Sequence, residues 1–140
     1  MAIDIRTVPG QHHDTLKEQL TAIYKKLEAD DKDFSATLEI IEERPWTQIS
    51  KDDILVKCVA EAYRRVTGKE ERYSGVPGAT DGTFLDYLKG IPVLVTGAGN
   101  QLIPHHVDEY VDIAELIETS KMYILSALYF LNGNKEQGQY

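Results

Sequence analysis

The stretch VPGATDGTFLDYLKGIPVLVTGAGNQLIPHHVDEYV, from Val76 to Val111, decides how the rest of the chain is read. Thr80–Asp81, after a Gly-rich turn, has the residue types of a helix start. A short helix over Thr80–Lys89 ends at Gly90, which suits a left-handed cap. Ile91–Thr96 reads as a buried strand and runs into Gly97–Ala98–Gly99. The loop beyond presents His105, His106, Asp108 and Glu109 within five positions. A helix, a strand and a polar loop after the strand's carboxyl end are the parts of an α/β ligand site.

Upstream, Ile3 and Ile5 alternate with Asp4 and Arg6, which predicts a strand over Ala2–Val8, ended by Pro9–Gly10. Leu16, Leu20, Ile23, Tyr24 and Leu27 recur at helical spacing and predict an amphipathic helix over His13–Ala29. Phe34–Glu43 alternates around Leu38 and Ile40 and reads as a second strand. Arg44–Pro45–Trp46–Thr47 breaks the pattern. A helix then opens near Ser50, with Asp52 and Asp53 in its first turn and a stripe of Leu55, Cys58, Val59, Ala62 and Val66, and stops at Gly68. Glu71–Ser74 has the makings of a short strand.

Downstream, Asp112 and Glu115 resemble a capping box for the last helix. Leu116, Ser120, Tyr123, Ile124, Ala127, Leu128 and Leu131 share one face of it. Asn132–Gly133–Asn134 ends it, leaving 135–140 as a flexible tail. Strands alternating with helices predict an α/β or α+β layered fold.

The 140 residues suit one domain or two small lobes, and 42% hydrophobic residues allow a core. Fifteen basic residues face 23 acidic ones. A net charge of −8 argues against a nucleic-acid partner, which needs a basic face. No apolar run reaches the roughly 18 residues of a membrane span, and no signal-peptide pattern opens the chain. The expectation is a cytoplasmic protein with no membrane partner. Cys58, the lone cysteine, falls on a helix's apolar face, where it reads as a buried spectator and not a nucleophile.

Imidazole and carboxylate at His105, His106, Asp108 and Glu109 suit zinc. Taken bare, the same residues read first as a solvated polar loop, with Asp108 and Glu109 near the start of the next helix. Thr80–Asp81 is most simply a helix cap, His12–His13 a solvated helix start, and Arg6 either a surface charge or an anion clamp. Gly97–Ala98–Gly99 lacks the spacing and the lysine of a nucleotide-binding loop. No Ser or Cys sits in a nucleophile motif.

Three stretches in order carry a resemblance: IDIRTVPG at Ile3–Gly10, GATDGTFLDYLKGIPVLVTGAG at Gly78–Gly99, and HHVDEYVDIAEL at His105–Leu116, with VTG at Val66–Gly68 between the first two. They resemble the C-terminal part of the zinc-dependent amidohydrolases that include acetylornithine deacetylase, succinyl-diaminopimelate desuccinylase, the aminoacylases and the glutamate carboxypeptidases. The resemblance implies an α+β lid half over 1–45, which in the family mediates dimerisation, and the C-terminal segment of an α/β catalytic domain over 46–134. It implies two zinc ions in the intact enzyme, with cobalt or manganese as alternatives, and makes His105 the family's last metal ligand. Arg6 corresponds to the lid arginine that meets a substrate carboxylate. Thr80–Asp81 corresponds to the threonine/serine–aspartate pair, and Gly97 and Gly99 to the loop glycines. Asn100 is the nearest match to a substrate-binding asparagine, one residue further from the histidine.

The family's other metal ligands and its catalytic glutamate lie N-terminal to the matching region, so the resemblance assigns no catalytic residue here. The expectation is a C-terminal fragment of a deacetylase, desuccinylase or carboxypeptidase type of hydrolase, acting in its intact form on an N-acyl amino acid or small peptide. Alone it is expected to be inactive and to hold no metal, and to need a missing N-terminal half. Bare apolar faces predict a homo-oligomer. The rival reading is a stand-alone, non-catalytic binding or regulatory module derived from such an enzyme.

Overall fold

The computed structural model describes residues 2–76, 78–100 and 103–136. Four helices occur in the order α1 His13–Asp30, α2 Ile54–Thr67, α3 Gly82–Lys89 and α4 Ile113–Glu136. α1 carries the predicted stripe. Leu16, Leu20 and Tyr24 on it are half-buried, while Ile23 and Leu27 are exposed. α2 starts later than its acidic run suggested. The Asp53 carboxylate accepts the Leu55 N–H at 2.8 Å, and Ser50 instead shapes the turn before it. Gly68 ends α2 at φ +69°, a conformation glycine takes without a Cβ clash, and its N–H returns to the Arg64 carbonyl. Gly90 ends α3 in the same way.

The α/β expectation is corrected: among the described residues there are four helices and no strand. Residues 2–8, 34–43, 71–74 and 91–96 hold none of the expected ladders. The reason lies in where each element finds its hydrogen bonds. A helix closes its own N–H···O=C bonds within one segment, so periodicity and caps suffice to place it. A strand needs an edge supplied by another segment in register. The alternating stretches have the composition of strands and lack that partner, and most of their large apolar residues stay open. Ile3, Ile41 and Ile91 are all exposed.

The chain divides into two compact units, one of residues 1–48 with 77–93 and one of 49–76 with 94–140. In the first, the single tryptophan, Trp46, donates its indole N–H to the Gln11 carbonyl at 2.9 Å. The Arg44 guanidinium lies 5.7 Å from the Phe84 ring centre. Gly82 is fixed by close approach: a Cβ there would stand 2.6 Å from Val93 Cγ1. In the second unit α2 packs on α4. Val56, Cys58, Ala60, Ala62 and Met122 are its buried apolar side chains. Cys58 is indeed buried, and that burial pushes its thiol pKa up, away from the reactive thiolate. The tail expected at 135–140 begins as helix, since α4 runs through Glu136; residues 137–140 lie outside the described ones.

α4 buries a different face from the one its apolar periodicity indicates. Met122 and Ser126 are buried, with the Ser126 hydroxyl donating to the Met122 carbonyl at 2.7 Å. Leu116, Tyr123, Ile124, Leu128 and Leu131, the expected inner stripe, are exposed. α4 is apolar on more than one side, so its pattern named an apolar helix without saying which side meets α2.

Candidate functional site

In the second unit the segment after Leu94 is tied to α4 from the side. The Tyr123 hydroxyl donates to the Thr96 carbonyl at 2.7 Å. Gly99 turns the chain at φ +91°, and its N–H donates to Glu115 Oε2 at 3.1 Å. Glu115 therefore reaches across to the loop instead of back to its own helix end. Asp112 alone supplies the side-chain cap there, accepting the Ala114 N–H at 2.7 Å. The expected capping box is half present.

Gly99, Asn100, Tyr110, Val111, Asp112 and Glu115 line a half-open hollow of about 350 Å³. Its acidic groups come from the first turn of α4, where the helix dipole favours them. The following loop is held by short bonds. Ile103 N–H donates to the Asn100 carbonyl, His106 N–H to the Ile103 carbonyl, and His105 N–H to Glu109 Oε2, each at 3.0 Å. His105 and Asp108 take left-handed backbone conformations, at φ +68° and +63°. Non-glycine residues do so at a cost of roughly 1–2 kcal/mol each.

The structure gathers Gly99 and Asn100 around one hollow and leaves His105 outside its lining. Among the described residues no three His, Cys, Asp or Glu side chains converge to hold an ion. A catalytic zinc takes about three protein ligands. His105 offers one imidazole, so the described residues do not by themselves fit a metal centre. His106, Asp108 and Glu109, adjacent in sequence, do not complete one.

The remaining candidates belong to the first unit. Arg6 is exposed and paired through Nη2 with Asp4 Oδ2 at 2.7 Å, two residues away. With Thr7 and Gly10 it lines a second hollow of about 290 Å³ against the start of α1. Thr80 and Asp81 begin α3 through their backbone carbonyls, which accept the Thr83 and Phe84 N–H groups. Asp81 makes no side-chain cap; its carboxylate stands 3.8 Å from Arg44. Residue types at a helix start suggested a cap that the backbone provides instead.

Sequence reasoning missed Glu115 as a loop anchor, Tyr123 as its lateral tie, and a network around His13. The His13 ring bonds Thr7 Oγ1 at 2.9 Å through Nε2 and Glu43 Oε1 at 2.8 Å through Nδ1. Lys17 holds the other Glu43 oxygen at 2.8 Å and Asp14 at 3.0 Å. The Lys17 ammonium keeps the Glu43 and Asp14 carboxyls below the usual carboxylate range, and Glu43 foremost raises Lys17 in return. Thirty positions separate His13 from Glu43, so no local pattern could have shown it.

The model of the peptidase family M20/M25/M40 matches residues 3–128, nearly the whole chain. The chain belongs to that family. Among curated relatives, an uncharacterised metallohydrolase of Methanococcus maripaludis is 30% identical over 93 residues, covering 66% of this chain and 22% of the relative. The N-formyl-4-amino-5-aminomethyl-2-methylpyrimidine deformylase of Halalkalibacterium halodurans is 33% identical over 85 residues, 61% of this chain and 19% of that enzyme. The aligned part thus spans about a fifth of each relative's length. No solved structure matches. The M20/M25/M40 match covers both units, including Arg6, Thr80, Asp81, Gly97, Asn100 and His105. No helix among the described residues is long and apolar enough to cross a membrane.

Proposed function

We propose that this chain is the C-terminal part of a metal-dependent amidohydrolase that cleaves the amide of an N-acyl amino acid, an N-formyl amine or a small peptide. The family match over residues 3–128 carries this reading. The name of one relative, a metallohydrolase, supports metal-dependent hydrolysis, and that of the other, an N-formyl deformylase, supports an acylated nitrogen as the target. His105 contributes one donor to a zinc, cobalt or manganese set completed by residues outside this chain. Arg6, released from Asp4, pairs with a substrate carboxylate through its planar guanidinium. Thr80, Asp81, Gly97 and Asn100 contribute to the substrate pocket. Residues 1–45 act as part of a lid, 46–134 as catalytic-domain support, and the assembled protein works in the cytoplasm as a homo-oligomer.

The test uses the native protein recovered from its source cells with an antibody against this chain. Hydrolysis of N-acetyl and N-formyl substrates is expected, abolished by a chelator, restored by zinc, cobalt or manganese, and lost on His105→Ala. Hydrolysis that ignores the chelator, or none on any such amide, refutes the proposal.

The alternative reading is a non-catalytic module that pairs with a larger relative, in keeping with a chain that aligns to about a fifth of each curated relative's length. Its mark is recovery of the chain at its own 15.8 kDa together with a longer, active family member.

A further inference from the structure

The first unit holds a hydroxyl, an imidazole and a carboxylate in the order that activates a nucleophile. Glu43 is ionised and offers only acceptors, so the ring nitrogen facing it, Nδ1, carries a proton. In the neutral imidazole Nε2 then has a lone pair, and the Thr7 hydroxyl donates to it at 2.9 Å. The base is thus oriented by a third group, and that group is itself fixed at its second oxygen by Lys17. The His13 side chain is mostly covered, at 18% exposure, and Thr7 opens onto the hollow of about 290 Å³. Gly10, Gln11, His12 and Leu16 line the same half-open space.

We propose that Thr7, His13 and Glu43 form a metal-independent nucleophilic centre that takes an acyl group from a small activated carboxylic ester. As Thr7 Oγ1 bonds to the ester carbonyl carbon, its proton passes to His13 Nε2 and the carbonyl π pair moves onto oxygen. When that pair re-forms the carbonyl, the bond to the alcohol oxygen breaks, and the alcohol leaves with the proton from Nε2. The acyl group then rests as an ester on Thr7. A water molecule repeats the sequence, yielding the carboxylic acid and free Thr7. Glu43 keeps Nδ1 protonated throughout and faces the positive charge that forms on the ring. No oxidant, reductant or metal enters. The centre is independent of the amidohydrolase reading and survives its failure.

The experiment incubates the full chain with 4-nitrophenyl acetate in excess chelator. Nitrophenol release is followed, and the acetylated residue is located by peptide mass spectrometry. One acetyl group on Thr7 is expected. His13→Gln is expected to slow its formation by about 10²-fold or more, the usual contribution of a general base, and Glu43→Gln to slow it as well. Thr7→Ser keeps the hydroxyl, removes the hindering methyl and is expected to acetylate at least as fast at position 7. A role confined to holding the segments together would leave acylation at that position absent in both proteins. Helical circular dichroism checks the fold of each variant. Acetylation confined to lysine or to the imidazoles, or a rate at position 7 unchanged in His13→Gln, overturns the proposal. Should His13→Gln lose its fold, Thr7→Ser still decides: no acetyl-serine at position 7 refutes it.

Discussion

Met122→Ala tests the packing of the second unit. Met122 is 4% exposed and lies between α4 and the covered side of α2. The substitution removes three heavy atoms from that contact. Buried Met→Ala changes cost about 2–5 kcal/mol, depending on how far the site collapses. Here the packed pair α2 and α4 buries small residues, Ala60 and Ala62, and leaves Val59 and Leu125 half-buried. Such a pair can close in, which places the expected loss near the lower end, about 2 kcal/mol. With a urea slope of about 1–3 kcal/mol/M, the midpoint falls by about 0.7–2 M with the slope unchanged. Ile124→Ala is the control. Ile124 is 66% exposed, so about 0.5 kcal/mol or less is expected. Urea unfolding followed by helical circular dichroism measures both. Equal losses for the two variants would refute the assignment of α4's buried face, and would mean that another surface, such as a second copy of the chain, covers Ile124 in solution.

Asp53→Ala removes the side chain that accepts the Leu55 N–H, and about 1 kcal/mol of stability is expected to go with it, largely restored by Asp53→Asn. Gly82→Ala drives a methyl group into Val93 and is expected to destabilise the first unit by about 1–3 kcal/mol, read as a lowered thermal midpoint. Glu43 has its folded pKa lowered, chiefly by Lys17. Its contribution to stability is therefore complete above the unfolded carboxyl value and fades as pH falls through the lower folded one. Glu43→Gln is expected to flatten the acid side of the stability curve; an identical acid limb in the variant would refute the pairing. Lys17 has its folded pKa raised, so its share is present below the ordinary lysine value and is lost only as pH climbs past the raised one. Stability in the alkaline range is expected to fall less steeply in Lys17→Met than in the parent.

The helices were legible because each carries its own instructions. The stripe on α1 and the glycines at positions 68 and 90 are local features with local consequences, whereas the start of α2 was read too early, at Ser50 in place of the Asp53 cap. The strands were misread because alternation in Ala2–Val8 or Phe34–Glu43 states only that a segment suits a sheet. Whether a sheet forms depends on an edge elsewhere, and none of the described segments supplies one. The face of α4 failed for a related reason: several apolar sides leave the choice to the partner. At the candidate site the residue types were readable and their ties were not. Gly99 could be picked out as a turn glycine, but its bond to Glu115, sixteen positions on, could not. Family membership was readable at both ends of the match because motifs persist in order along the chain, whatever each segment does locally.

Trp46 gives the molecule a built-in optical reporter. As the only indole in the chain, anchored to the Gln11 carbonyl, it emits from the first unit alone, whereas α2 and α4, with 38 of the 64 residues in the four helices, lie in the second and give most of the ellipticity. Fluorescence and ellipticity from one melt therefore separate the two units without a label. If the curves superimpose, the units lose structure together; if the indole signal shifts first, the segment bearing Arg6, Thr7 and His13 opens while the helix pair still stands.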